Sequence, residues 1–285
     1  MTEAGGTGTL YVVSTPIGNM GDFSFRAVEV LKSVDLILAE DTRHTRNLLD
    51  RYGITTTATP YHEHNEARST PPFVARLARG ESLAIVSDAG TPLISDPGAR
   101  LVRAAIEAGI NVVAIPGPSA LLSALVVSGL DAGRFTFFGF LTRTGRERRA
   151  ELDDITRMRH TAVLYEAPNR LAATLGELER LGNGARPAVV AREMTKQFEE
   201  VKRGTVGELR AYYENKPPRG EVVLVIAAAV EQAPASDVVQ TRVDALRASG
   251  MSARDTATTV AAELGVSKRV AYRLAQQSTK TGESE

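Results

Sequence analysis

The stretch Val86-Ser87-Asp88-Ala89-Gly90-Thr91-Pro92-Leu93-Ile94-Ser95-Asp96-Pro97-Gly98 decides how this chain is read. It begins as the end of an apolar run, residues 83–86, with the composition of an interior strand. It then meets Gly90, Pro92, Pro97 and Gly98, which impose turns and allow close backbone approach. From residue 99 onward the spacing of Leu101, Val102, Ala105 and Ile106 is helical. A loop between the carboxyl end of a strand and a helix is where α/β sheets hold ligands, and helix amides suit polar groups there. Taken alone, the same stretch also reads as an ordinary strand-to-helix connection.

Outward from this loop, strands and helices alternate. Residues 10–14, 35–39, 83–87 and 112–115 read as strands, with amphipathic segments at 25–34 and 73–78, the signature of a mostly parallel sheet. Past residue 131 the strand-like runs are 135–138, 162–165, 188–191, 199–203 and 222–227. Helical spacing at 171–181 and 206–213 accompanies them, which predicts a second sheet. Residues 231–236 have linker composition, and 238–248, 253–264 and 267–277 read as three short helices. The expected architecture is α/β, with one α/β domain at 9–118, another at 119–232 and a small helix-turn-helix-like module at 237–278. The polar tail 278–285 is predicted to fray.

Composition narrows the chemistry. With 43% hydrophobic and 24% charged residues, the 285-residue chain has the balance of a globular protein. Its longest apolar stretch, 222–230, is far short of the roughly 20 residues of a membrane span, and the amino terminus lacks the basic and apolar parts of a signal peptide. A cytoplasmic location without a membrane partner is expected. The sequence contains 0 cysteines, which excludes disulfides and thiolate chemistry, and its 4 histidines leave little for a metal site, so no metal is expected. The net charge of +0 means that any hold on nucleic acid comes from a local basic surface.

Other loops share the composition of the first. Ser14-Thr15-Pro16-Ile17-Gly18-Asn19 follows the first strand, Glu40-Asp41-Thr42-Arg43 the second, and Pro116-Gly117-Pro118-Ser119-Ala120 the strand ending at Ile115. In a parallel sheet these loops converge on one edge and bring Asp41, Asp88 and Asp96 near one cleft, although each aspartate also suits a helix cap. Gly5-Gly6-Thr7-Gly8 precedes the first strand instead of following it, so it reads as a flexible amino terminus and not as a dinucleotide loop. No Walker lysine loop is present.

These blocks, Leu10 to Asn19, Ala39-Glu40-Asp41-Thr42-Arg43-His44-Thr45, Val86 to Gly98, Pro116 to Ala120 and Ala191-Arg192-Glu193-Met194-Thr195-Lys196, resemble in order the tetrapyrrole methylase superfamily. The match is to its branch that methylates small-subunit ribosomal RNA. The resemblance implies two α/β domains with a cofactor cleft between them and a homodimer. It also implies methyl transfer from S-adenosylmethionine to the ribose 2′-hydroxyl of cytidine 1402 in 16S rRNA. The superfamily's Gly-Asp-Pro cofactor loop falls on Gly90-Thr91-Pro92, where Thr91 replaces the acidic residue, so no carboxylate role transfers to it. Ile94 matches a backbone contact to the cofactor, and Ser119 and Ala120 the pair near its methionine part. Tyr165, Glu166, Ala191 and Val222 fall where the second domain closes over the adenosine, though Val222 also reads as strand core. Pro16 joins the cofactor set, and Asn19 and Arg43 the substrate set.

A sulfonium methyl is already electrophilic, so transfer needs alignment and an oxygen made more electron-rich, not a metal or a covalent enzyme intermediate. A carboxylate or neutral amine within reach of the hydroxyl assists its deprotonation, and the candidates are Asp41, Asp88 and Lys196. Lys196 also reads as a cation for rRNA phosphate. His62 and His64 sit two apart without a third ligand, and read as substrate-facing or simply exposed.

For the RNA itself, Arg146, Arg148 and Arg149 in the basic segment from Arg143 read either as a mobile loop gripping phosphates or as a solvated helix face. Lys268 and Arg269 head the basic helix of the carboxyl-terminal module. In isolation that module also suits a DNA-binding regulator with an α/β sensor domain. A small tetrapyrrole substrate, as in precorrin-modifying relatives, is the other alternative, and the two basic segments favour RNA.

Overall fold

The computed structural model describes residues 6–229 and 236–278. The expected linker at 231–236, apart from Ser236, and the tail beyond Ser278 lie outside the described residues. The chain divides into two units after Ala229.

In the first unit, β1 (Thr9–Val13), β2 (Leu36–Ala39), β3 (Ala58–Pro60), β4 (Leu83–Val86) and β5 (Asn111–Ile115) form a sheet of order β3-β2-β4-β1-β5. Every pairing is parallel, with Leu10 beside Leu83 and Val13 beside Ile115. Strands β2 and β4 are buried at every position, because helices cover both faces of the sheet. On one face lie α1 (Phe25–Ser33) and α2 (Thr42–Arg51), which contribute Leu31, Leu48 and Leu49. On the other lie α3 (Glu66–Ala78) and α4 (Ala99–Glu107), with Leu77, Leu101 and Ala105.

The second sheet has the order β6-β7-β10-β8-β9, from β6 (Phe135–Phe140), β7 (Thr161–Glu166), β8 (Pro187–Arg192), β9 (Glu200–Thr205) and β10 (Val222–Ile226). Here only β6 and β7 run parallel, and the other pairings are antiparallel. One face packs on α6 (Gly145–Arg157), α7 (Leu171–Leu178) and α8 (Val206–Asn215), through Leu152, Leu175 and Leu209. The other face packs on the apolar helix α5 (Ala120–Ser128), and Ile17 from the loop after β1 reaches into the same cluster. That shared cluster joins the two sheets. Thr205 and Glu208 close a reciprocal capping box at the start of α8.

Three expectations are corrected. Helix α3 starts at Glu66 and carries Pro71 and Pro72 inside it. Both prolines are exposed, so water can take the carbonyls that lose their donors. Residues 145–157 form a helix, not a mobile loop. Gly8 is no part of a flexible terminus: its amide donates to Leu77 O at 2.8 Å, and a Cβ there would fall 1.8 Å from Glu81 O.

The second unit contains α9 (Ser236–Ala248), α10 (Ala253–Leu264) and α11 (Lys268–Gln277). Val239, Val243, Val260, Ala271 and Ala275 form its own core. Gly265 at φ +69° ends α10, and the Ser267 side chain caps α11 through Val270 N.

Candidate active site

The loops after β1, β2, β4 and β5 emerge on one edge of the first sheet and are stitched together. Thr15 and Gly90 exchange two backbone hydrogen bonds, of 2.8 and 3.1 Å, and Thr15 Oγ1 donates to Ser87 O at 3.1 Å. Thr91 Oγ1 lies 3.1 Å from Ser14 Oγ and donates to Pro118 O at 3.3 Å. The threonine that departs from the superfamily pattern therefore ties three loops to one another. Gly117 is required where it stands, because a Cβ would meet Ser14 Cβ at 2.9 Å. Within the decisive loop, Leu93 and Ser95 hold left-handed backbone at φ 73° and 68°. Such conformations persist only where surrounding structure enforces them.

Between this edge and the second sheet lies a cleft of about 360 Å³. Its first wall is Glu40, Asp88, Gly90, Thr91, Ile94, Ser95, Asp96, Ser119 and Ala120; its second is Phe140, Tyr165, Ala167, Pro168, Glu221, Val222 and Val223. The size is that of a small-molecule site, with three carboxylates, Glu40, Asp88 and Asp96, on the first wall and mostly apolar residues beside Glu221 on the second. Burial pushes the Asp96 carboxyl up to about 6; the Glu40 carboxylate adds to this, a hydrogen bond from Ser87 opposes it, and Asp88 adds further. Burial likewise raises Glu40, with Asp88 reinforcing it. Clustered carboxylates of this kind favour a cation.

The expected site residues separate. Gly90, Thr91, Ile94, Ser119, Ala120, Tyr165, Glu166 and Val222 all line the cleft. Ser119 also caps α5 through Leu122 N. The Glu166 side chain turns away from the cleft, accepting from Thr174 Oγ1 at 2.5 Å and Ala167 N at 2.9 Å and pairing with Arg170 at 3.3 Å. Only its backbone is free to face a ligand. Val222 both lines the cleft and belongs to the strand core. Ala191 is corrected: it is 0% exposed and does not itself line the cleft, but packs in the cluster that joins the sheets, directly beside Val223, which does line it. Pro16 lines a neighbouring recess and not the cleft itself.

Among the candidate bases, Asp41 caps α2 through Arg43 N at 2.8 Å and pairs with the Arg43 guanidinium at 2.7 Å. The Arg43 hydrogen bonds hold its carboxyl well below the ordinary carboxylate range, which makes it a poor base. Asp88 lines both the cleft and the neighbouring recess, and its Oδ1 accepts from Asp41 N at 3.0 Å. Lys196 Nζ donates to Glu193 Oε1 at 3.0 Å and Glu221 Oε2 at 3.1 Å. Burial works against its charge, but these two carboxylates outweigh that and raise the ammonium above its ordinary value. Its stem packs over Gly18, where a Cβ would meet Lys196 Cγ at 2.3 Å. Asn19 N donates to Thr195 Oγ1 at 3.2 Å beside it, so the loops from the two sheets are clasped here.

Of the basic residues, Arg43, Arg146, Arg149, Lys268 and Arg269 are exposed. Arg148 is corrected: it is 7% exposed, pairs with Glu177 at 2.6 Å and donates to Thr142 O and Thr174 Oγ1, so no phosphate reaches it. The second wall holds residues that sequence reasoning does not find. Phe140, Gly220 and Glu221 belong to β6 and to the turn before β10, which no local motif connects to the first sheet. Glu40 stands in the loop after β2, and its place at the end of a buried strand is the signal that points to it.

The family model for tetrapyrrole (corrin/porphyrin) methylases matches residues 9–210. A protein of Synechocystis sp. named ribosomal RNA small subunit methyltransferase I is 46% identical over 270 residues, covering 94% of this chain and 97% of that one. A protein of the same name from Xylella fastidiosa is 48% identical over 241 residues, covering 84% and 88%. Among solved structures, a cobalt precorrin-4 methyltransferase superposes with a TM-score of 0.58 at 17% identity over 77% of this chain and 94% of that one, a likeness of fold. The chain belongs to the ribosomal RNA small subunit methyltransferase I family of tetrapyrrole methylases.

Proposed function

We propose that this protein transfers a methyl group from S-adenosylmethionine to the ribose 2′-hydroxyl of cytidine 1402 in 16S rRNA of the small ribosomal subunit. The observation that carries the reading is the stitched loop edge, with its cleft, in a chain whose 46% identity to an rRNA methyltransferase extends over 94% of its length. That methyltransferase activity takes ribosomal RNA as its substrate follows from these relatives; the cofactor and the nucleotide are the finer reading.

The cleft residues fit S-adenosylmethionine. Its acidic wall suits a sulfonium cation, and Tyr165, Pro168, Val222 and Val223 offer an apolar surface to an adenine ring. When bound, the cofactor supplies a methyl carbon already activated for in-line displacement. The chain's own residues then do the rest. Gly90 at φ +84° brings backbone close to the ligand, and Thr91 holds that loop to its two neighbours. Asp88, aimed by Asp41 N, accepts the hydrogen of the attacking hydroxyl. Lys196 stays protonated between Glu193 and Glu221 within the loops of the second sheet, while its stem over Gly18 and the Asn19 N to Thr195 Oγ1 bond hold those loops to the first sheet, which aligns the reactants.

Domains at 9–118 and 119–232, an RNA-engaging module at 237–278, a homodimer and a cytoplasmic location belong to the same reading. No helix among the described residues is long and apolar enough to cross a membrane. The test is to delete the gene and map the 16S rRNA by mass. Loss of the 2′-O-methyl mark on cytidine 1402, restored by the intact gene, supports the proposal, and persistence of the mark refutes it. Calorimetry of the purified protein with S-adenosylmethionine tests the cofactor separately.

A further inference from the structure

A transfer between two substrates needs a second site sharing a wall with the first, and a recess of about 160 Å³ adjoins the cleft. It lies at the same carboxyl-terminal edge of the parallel sheet, between the loop after β1, the first turns of α2 and the end of β4. Asp88 lines both spaces. Resting on the function proposed above, we infer that this recess receives the base of the target nucleotide, swung out of its RNA stack.

Size and chemistry point the same way. At about 160 Å³ the recess accommodates one six-membered ring. Pro16 and Met20 offer apolar contact to the faces of a ring, while His44 and Asn47 stand at its rim with donors and acceptors for a base edge. Thr45 contributes to the wall; it is 3% exposed, and its Oγ1 is buried with no hydrogen-bond partner. A buried hydroxyl left unsatisfied is what a polar ligand edge completes. With the base seated here, the sugar attached to it falls at the seam beside Asp88, whose orientation is already set by Asp41 N at 3.0 Å. Enzymes that act on a nucleotide within structured RNA or DNA reach it by extruding it in this manner.

Asn47 is exposed on α2, so Asn47→Phe fills the mouth of the recess without entering the core, and Asn47→Ala removes only its amide. Both variants and the unmodified protein are compared for methyl transfer to 30S subunits and 16S rRNA lacking the mark, and for S-adenosylmethionine affinity by calorimetry. A fluorescent cytidine analogue at the target position, which brightens on unstacking, gives a third reading. The expected result is that Asn47→Phe lowers transfer by about tenfold or more and abolishes the brightening, Asn47→Ala weakens both less, and cofactor affinity stays within about twofold. Transfer and brightening equal to the unmodified protein in both variants overturn the inference. So does a matching loss of cofactor affinity, which assigns the recess to the cofactor instead. No transfer by the unmodified protein to either RNA overturns the functional reading itself, and with it this assignment.

Discussion

Arg148 on α6 and Glu177 beyond the middle of α7 lie 2.6 Å apart, and the arginine is buried with its remaining donors on Thr142 O and Thr174 Oγ1. The residue at the centre of the basic segment therefore holds two helices together. Arg148→Met strands these acceptors, while Glu177, about a third exposed, recovers water. The expected cost is about 2 kcal/mol, below the full penalty of a sealed ion pair. A lower urea midpoint at unchanged slope checks this, with rRNA affinity of the folded variant unaltered.

Arg146 and Arg149 are the exposed members of the same segment. Reversing both to glutamate should weaken rRNA binding and flatten its salt dependence by about 0.7–0.9 in logarithmic slope for each phosphate left without its arginine. Cofactor affinity should be untouched. An unchanged salt slope retires α6 as a phosphate-binding face.

Asp96 makes the cleft pH-sensitive. Its carboxyl is raised to about 6 in the folded protein, so the folded state binds a proton that the unfolded chain has already released above about pH 4. Stability accordingly falls as pH rises from about 4 to 6 and stays lower above that, by on the order of 2–3 kcal/mol. Asp96→Asn should remove this dependence and stabilise the protein at pH 8, measured by denaturation at several pH values. A bound cation reverses the preference, so S-adenosylmethionine affinity should rise with pH through about 6 in the unmodified protein and lack that rise in the variant.

Lys196 acts as a clasp. Its raised ammonium keeps the Glu193 and Glu221 pairing intact throughout neutral pH, and the pairing breaks only as pH climbs through that raised value. A lysine base with such a value would make activity climb about tenfold per pH unit between 7 and 9. A plateau is expected instead. Lys196→Met should keep the plateau, although Glu193 and Glu221 then lose their shared cation. A tenfold climb in the unmodified protein, absent from the variant, would identify the lysine as the base after all.

What local sequence reveals depends on how far each signal reaches. The decisive loop, its partners after β1, β2 and β5, and most of the strands and helices rest on periodicity and turn residues within a few positions. Helix α3 reads short in the sequence because proline removes an amide donor, and only the exposure of Pro71 and Pro72 lets water compensate. Arg148 and Arg149 are neighbours with the same charge, yet the helix turn sends one to Glu177 and the other to solvent. Ala191 lies in a block that resembles the family and shares a strand face with the cleft-lining Val223, but packing in the cluster with α5 leaves it 0% exposed.

By itself the amino-acid sequence determined the α/β alternation, the loops that gather at one sheet edge and the family to which they belong, because these follow from short-range backbone preferences and contiguous motifs. Only the tertiary structure decided which charges meet. Asp41 is spent on Arg43 and on capping α2, Lys196 is neutralised by Glu193 and Glu221, and Asp88 alone of the three candidates stands between two spaces. Asp88 meets Asp41 N, and Lys196 meets Glu221 as well as the nearby Glu193, through chain that is remote in sequence, and a carboxylate's or amine's readiness to exchange a proton depends on those partners and on burial. Neither is written in the spacing of the residues along the chain.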